Sequence, residues 1–199
     1  MNLAVFASGR GSNFSAIVKA IQQNEIRAKL RILVCDQPGA LVIKRAQRAG
    51  VRVVLAKRED FSSRRDFETA IIQRLEEYRI DLIALAGFMR LLSPMFVKRY
   101  RKRILNIHPA LLPAFKGAHA IKDAFDCGVG TTGVTVHFVD EKVDHGPIIL
   151  QQKIKISAKD TLEILERKIH RLEHKLYPRA IDLFISGKIK SARSRRSSF

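Results

Sequence analysis

The stretch NLAVFASGRGSNFSAIVKAIQQ, residues 2–23, sets the reading of the whole chain. Its opening NLAVFAS is apolar and too short for a helix, and it runs straight into Gly9-Arg10-Gly11-Ser12-Asn13 before the helical pattern FSAIVKAIQQ. Strand, glycine loop and helix follow in that order. Glycines let a backbone approach an anion closely, a helix N-terminus presents unpaired N–H groups, and Ser12 and Asn13 add polar side chains. Gly11, Ser12 and Asn13 are therefore expected to bind a phosphate. A dinucleotide fingerprint wants glycine at position 14, where this chain has Phe14, so a terminal phosphate monoester fits better than a pyrophosphate. The glycines alone do not outweigh a tight turn without a ligand; their place after the first strand of an α/β sheet favours the anion.

Outward from this unit the same alternation continues. KLRILVC reads as a second strand; the turn Asp36-Gln37-Pro38-Gly39 leads to a helix near ALVIKRAQRA stopped by Gly50. A strand at VRVVL, a helix started by Ser62 and Ser63, and a strand at DLIALA follow. Alternating strands and helices mark a parallel sheet with right-handed crossovers. Ser93-Pro94 starts a short helix through Tyr100, and ILNI, residues 104–107, is a further strand. TTGVTVHFVD and PIILQQKIKI have no helix between them, so they are expected to pair antiparallel and make the sheet mixed. Leu162, Leu165, Ile169, Leu172 and Leu176 lay one apolar stripe on a long last helix ending near Gly187, with Pro178 as a place for a kink. The fold class is α/β, a Rossmann-like mixed, mostly parallel sheet with helices on both faces. Residues 1–187 are expected to form a single domain, 1–100 its phosphate-binding half and 101–187 its catalytic half, with 188–199 a basic, mobile tail.

Composition agrees with one well-buried core, since 199 residues with 46% hydrophobic content are too few for two ordinary domains. No run approaches the roughly 20 apolar residues that span a bilayer, and MNLAVFASGRG lacks the marks of a signal peptide. A cytoplasmic protein without membrane attachment is expected. Cys35 and Cys127 follow no metal-knuckle spacing, and both are expected to be small buried apolar residues. The formal net charge is +18; the five basic residues after Gly187 leave 18 − 5 = +13 on the rest, so the excess is distributed along the sequence. Distributed Lys and Arg usually solvate helix faces, so nucleic acid is not expected as a partner, although the field would draw in small anions.

Two further segments can carry chemistry. In Asn106-Ile107-His108-Pro109, residues two apart in an extended strand share a face, so Asn106 and His108 can address one point. An amide donor beside a titratable donor suits a developing oxyanion, as when an amine attacks a formyl carbon. A histidine that merely caps a loop is the competing reading. In the loop Asp140-Glu141-Lys142-Val143-Asp144-His145-Gly146-Pro147, the Gly-Pro turn fixes Asp144, whose carboxylate would favour a protonated His108 if the two approach; an exposed acidic turn is an even alternative. His108, His119, His137 and His145 follow no metal-site spacing, and no metal is expected. His137 lies in an alternating strand and reads as a core histidine, and His170, Glu173 and His174 read as solvated.

ASGRGSN, AGFMRLLSP, NIHPALLPAFKGAHA, TTGVTVHFVDEKVDHGPII and EHKLYP together strongly resemble the phosphoribosylglycinamide formyltransferase family of folate-dependent enzymes, over nearly the whole chain up to Gly187. The resemblance implies 10-formyltetrahydrofolate as co-substrate, 5'-phosphoribosylglycinamide as acceptor, and neither a metal nor a covalent intermediate. Gly11, Ser12 and Asn13 match the family's phosphate loop, and Glu173 matches the acid that holds the ribose hydroxyls. Phe88, Met89, Arg90, Leu91 and Leu92, with Val139, Asp140, Glu141, Lys142, Val143 and Asp144, look like the walls of the folate pocket, which Arg64 and Asn106 also border. Asn106, His108 and Asp144 look like the catalytic group. In that picture Asn106 and His108 steady the oxyanion of a tetrahedral intermediate while Asp144 keeps His108 protonated and relays the amine proton through water. A homodimer is compatible with this reading. His145 departs from the family pattern, and its imidazole is placed to compete for the hydrogen bond of Asp144. The alternatives are a formyltetrahydrofolate hydrolase, which resembles this chain preceded by a regulatory domain, a methionyl-tRNA formyltransferase, which resembles it followed by a nucleic-acid-binding domain, and a non-catalytic nucleic-acid binder on the same scaffold.

Overall fold

The structure is a computed structural model that describes residues 1–189. Seven strands, β1 (Asn2–Phe6), β2 (Lys29–Cys35), β3 (Arg52–Leu55), β4 (Leu82–Leu85), β5 (Ile104–His108), β6 (Thr131–Phe138) and β7 (Ile148–Lys155), form one sheet in the order β3-β2-β1-β4-β5-β6-β7. The first five run parallel, while β6 pairs antiparallel with β5, and β7 antiparallel with β6. The sheet is therefore mixed and mostly parallel. From β1 to β5 each connection carries the chain back through a helix to start a parallel strand, whereas the segment holding α5 leads into β6 from the opposite end and β6 reaches β7 through a nine-residue loop that only reverses it.

The helices are α1 (Ser12–Gln22), α2 (Leu41–Arg48), α3 (Arg64–Glu77), α4 (Pro94–Arg99), α5 (Ala120–Asp126) and α6 (Leu162–Ile185). Strand side chains alternate between two layers, which is why the parallel strands read as continuous apolar runs. Leu3, Val5, Leu33, Leu82, Ala84 and Leu105 face α1, α2 and α6, packing on Phe14, Ile17, Leu165, Ile169, Leu176 and Ile181. Ala4, Phe6, Ile32, Val34, Ile83 and Ile104 face the other way, onto Phe67, Ile71 and Leu75 of α3 and Phe96 of α4. Helix starts follow local chemistry. Ser63 accepts from the Asp66 amide to open α3, and Ser93 accepts from the Phe96 amide to open α4 with Pro94 in its first turn.

Three expectations change. Helix α5 has no counterpart in the sequence reading, because it is seven residues long and buries only Ala120 and Ala124, too little to show a period. Cys127 closes that helix and is exposed, whereas Cys35 is buried as expected. Pro178 sits inside α6, which continues unbroken to Ile185. The expected mobile tail falls outside the described residues from position 190 onward.

Candidate active site

Strand β1 lies between β2 and β4, so the order of the sheet reverses there and the loops leaving the two strands diverge. A crevice outside the carboxyl ends is the usual result of that topology. Here it is a cleft of about 910 Å³, lined by the loops after β1, β4 and β5, the 139–144 loop and one face of α6.

At one end stands the glycine loop. Gly11 precedes α1 in the left-handed conformation, φ 74°, and no side chain among the described residues caps the helix, so the first amides of α1 face the cleft without a side-chain partner. A Cβ on Gly11 would stand 2.4 Å from Val42 Cγ2, and the Gly9 carbonyl accepts from the Val42 amide at 3.1 Å; α2 thus presses the loop into shape. Asn13 is turned back by Glu173 of α6, whose Oε2 accepts from Asn13 Nδ2 at 3.0 Å. His170 Nδ1 reaches the same Oε2 at 2.9 Å, and this bond raises the His170 pKa against the lowering effect of burial. Glu173 is 5% exposed, a buried carboxylate beside the phosphate loop and not a solvated one.

At the centre three elements meet. Asn106 and His108 share one face of β5, as the two-residue spacing predicts, and the loop after β6 brings Asp144 to both. Asn106 Nδ2 lies 3.3 Å from Asp144 Oδ1, and His108 Nδ1 lies 3.4 Å from Asp144 Oδ2. The Gly117 amide donates to the same Oδ2 at 2.9 Å. His108 Nε2 faces the Phe115 carbonyl at 2.7 Å. Both ring nitrogens of His108 thus face oxygen atoms. Burial pushes the Asp144 carboxyl up, but His137, the Gly117 amide and the charge of His108 outweigh it and hold it below the ordinary carboxylate range. Asp144 itself takes a left-handed backbone, φ 45°. The turn behind it is tight: a Cβ on Gly146 would fall 1.8 Å from the Phe138 carbonyl oxygen.

His137 is the residue that sequence reasoning passed over. It pairs in register with Asn106 across β5 and β6, sets its Nδ1 2.8 Å from the Phe138 carbonyl oxygen, and turns its Nε2 to Asn106 Nδ2 at 3.2 Å. Its Nε2 is 3.6 Å from Asp144 Oδ1. The signal was the pairing of the two strands, which puts positions 106 and 137 side by side. His145, expected to compete for Asp144, instead pairs with Asp140 Oδ2 at 2.8 Å on the outer side of the loop.

At the other end, Phe88 is buried, while Met89, Leu91 and Val143 are exposed at 69%, 66% and 46%, an apolar rim suited to a flat ring system. Arg90 Nε is tied to the buried Asp36 at 2.7 Å. Arg64 Nη2 holds the Leu91 carbonyl at 2.6 Å, and its Nε lies 3.2 Å from Glu68, a buried carboxylate that also accepts from the Ser93 amide at 2.8 Å and from the Ser93 hydroxyl. Glu68 lies outside every motif in the sequence reading, and Asp36 enters it only as the start of a turn. Every residue singled out there as a site lines this cleft.

Fold and cleft together define an α/β protein that takes its ligands at the carboxyl edge of a switch-point sheet. Residues 1–181 match the family described as Formyl transferase, and the chain belongs to that family. It is 48% identical over 178 residues to the phosphoribosylglycinamide formyltransferase of Bacillus subtilis (strain 168), covering 89% of this chain and 91% of that one. The trifunctional purine biosynthetic protein adenosine-3 of Gallus gallus is 40% identical over 96% of this chain, which spans 19% of that longer protein. Among solved structures, glycinamide ribonucleotide transformylase 1 from Geobacillus kaustophilus superposes with a TM-score of 0.90 at 48% identity, covering 92% of this chain and 97% of that one.

Proposed function

We propose that the chain transfers the formyl group of 10-formyltetrahydrofolate to the amine of 5'-phosphoribosylglycinamide, a step of de novo purine biosynthesis. The observation that carries this reading is the convergence of Asn106 and His108 on Asp144 midway along the cleft, with an uncapped helix start on one side and an apolar rim on the other. Each end suits one substrate. The α1 amides with Ser12 and Asn13 receive the phosphate, and Glu173 receives the ribose hydroxyls. Phe88 to Leu92 and Val139 to Asp144 enclose the folate ring, with Arg64 and Arg90 at its edge.

Between them the chemistry is acyl transfer by positioning. Asn106 Nδ2 and His108 Nε2 donate to the oxygen that becomes negative as the amine attacks the formyl carbon. For His108 this means exchanging the Phe115 carbonyl for the substrate oxygen, and for Asn106 exchanging one of its contacts, to His137 or to Asp144, for the same oxygen. Asp144, held ionised by its neighbours, keeps His108 protonated and accepts the amine proton through water. His137 Nε2 and Asp144 Oδ1 flank the amide nitrogen of Asn106 at 3.2 Å and 3.3 Å and so orient it beside the reacting centre.

The test is to incubate the protein with 10-formyltetrahydrofolate alone, with 5'-phosphoribosylglycinamide, or with methionyl-tRNA, and to follow tetrahydrofolate release. Release that depends on the acceptor is expected. Release without acceptor would instead make the chain a hydrolase, transfer to methionyl-tRNA alone would make it a tRNA formyltransferase, and no release in any arm would overturn the reading.

A further inference from the structure

The charge of this chain is scattered in sequence, yet the parallel topology collects much of it. Lys29 opens β2, Arg79 stands two residues before the Asp81 that leads into β4, and Arg101, Lys102 and Arg103 lead into β5, so all lie at the amino edge of the sheet, opposite the cleft. The edge is continuous: the Lys29 amide donates to the Met1 carbonyl, the Asp81 amide to Asn2, and the Ile83 amide to Arg103, each at 2.9 Å. Arg99, at the end of α4, extends it. Of the acids at this edge Glu25 has no partner among the described residues, and the others are engaged. Glu76 pairs with Arg99, Glu77 with Arg74, and Asp81 accepts the Asn2 amide at 2.7 Å. Lys29, Arg79, Arg101, Lys102 and Arg103 have no acidic partner among the described residues and are exposed.

A concavity of about 470 Å³ is set into this edge, with Arg79, Arg99 and Arg103 in its wall. The Arg103 guanidinium is held over the Tyr100 ring, 4.9 Å from its centroid, and donates to the Arg99 carbonyl at 3.0 Å, so its planar fork is oriented before any ligand arrives. We propose that this edge binds the phosphate backbone of double-helical nucleic acid, a role independent of the formyl-transfer reading. The three strand spacings from β2 to β5 span roughly 14 Å, against one charge per about 1.7 Å of duplex axis, so several phosphates fall within reach. Two features choose this partner over others. Tyr100 is buried beneath Arg103 and Tyr78 is half-buried, so among the described residues this edge has no exposed ring to stack the bases of a single strand. Of the exposed large apolar residues only Met1 lies at this edge, too little to enter a bilayer.

The experiment is fluorescence anisotropy on the full chain with short labelled RNA and DNA duplexes of one sequence, the matching single strands, and inorganic polyphosphate as competitor. Wild type is expected to bind both duplexes with an affinity that falls steeply with salt. Replacing Arg79, Arg101 and Lys102 together by Gln should weaken binding at least roughly tenfold and flatten the salt slope by about 2 to 3. A control that replaces Lys153, Lys155 and Arg167 by Gln removes the same charge from β7 and α6 and should change binding little. Formyl transfer should be equal in both variants, which establishes that both are folded. Equal weakening in the two variants, tighter binding of the single strands or of polyphosphate than of the duplexes, or no duplex binding by wild type at about 0.1 M salt would each overturn the proposal.

Discussion

Asp144 is the side chain on which the site turns, because it is the common partner of Asn106, His108 and the Gly117 amide. Asp144→Asn preserves its shape and one acceptor but removes the charge opposite the His108 ring. We expect kcat to fall by roughly 10²- to 10⁴-fold with KM for both substrates little changed, measured by steady-state tetrahydrofolate release. Equal turnover would remove Asp144 from the mechanism. A second residue gives a pH signature. The bond to Glu173 lifts His170 above its ordinary value of 6.5, with Glu166 adding to the rise and Arg10 opposing it. A folded-state pKa above the unfolded one contributes stability that is complete below pH 6.5 and disappears as pH rises through the raised value. The gap in urea midpoint between wild type and His170→Gln should therefore be widest on the acid side and close in the alkaline range; a gap constant with pH would assign His170 no titrating role. At this scale the sequence spoke unevenly. The spacing of Asn106 and His108 was readable from the strand period alone, but neither His137 nor the burial of Glu173 was, since both depend on which distant segment packs alongside.

Elements place these side chains, and the loop between β4 and α4 is held by a device that no motif announced. Glu68, 1% exposed on α3, accepts from the amide and hydroxyl of Ser93, while Arg64 bridges from Glu68 to the Leu91 carbonyl. All the donors around Glu68 point at it, so Glu68→Gln turns an amide NH₂ toward at least one of them. Leaving a buried donor unmatched costs about 1 to 3 kcal/mol, and the half-exposed Arg64 keeps the cost away from the upper limit for buried ion pairs. Thermal unfolding should shift downward, and KM for 10-formyltetrahydrofolate should rise several-fold with kcat retained, because the Phe88–Leu92 wall moves while the Asp144 centre does not. An unchanged folate KM would confine Glu68 to a purely structural role. The elements themselves were largely legible: KLRILVC coincides with β2, and the serine caps of α3 and α4 stand where the sequence puts them. Helix α5 was not, as two buried alanines in seven residues leave no period to read.

Over the whole molecule, the two halves expected within the single domain, residues 1–100 and 101–187, meet along α6. This helix packs on α1 from the first half and on α5, β5, β6 and β7 from the second, so the layer it belongs to joins residues from both halves of the sequence. Tyr177 makes the joint explicit. Its ring is fully buried, and its hydroxyl donates to two carbonyls at once, Leu85 at 2.8 Å and Leu105 at 3.0 Å, the adjacent strands from which the Phe88–Leu92 wall and Asn106 emerge. Burial, reinforced by the Glu173 charge, holds the phenol well above its ordinary pKa, so it remains a donor across the working range. Tyr177→Phe keeps the packing and leaves both carbonyls without that proton, at a cost of about 1 to 2 kcal/mol. For a chain of this size the melting temperature should fall by roughly 2 to 8 °C, at about 2 to 4 °C per kcal/mol. The shape of the transition decides more than its position. If the seven-stranded sheet is one cooperative unit, wild type and Tyr177→Phe should each unfold in a single step, with near- and far-ultraviolet circular dichroism coincident. Two resolved transitions in the variant would mean that the halves fold separately and that the phenol is a clasp between them.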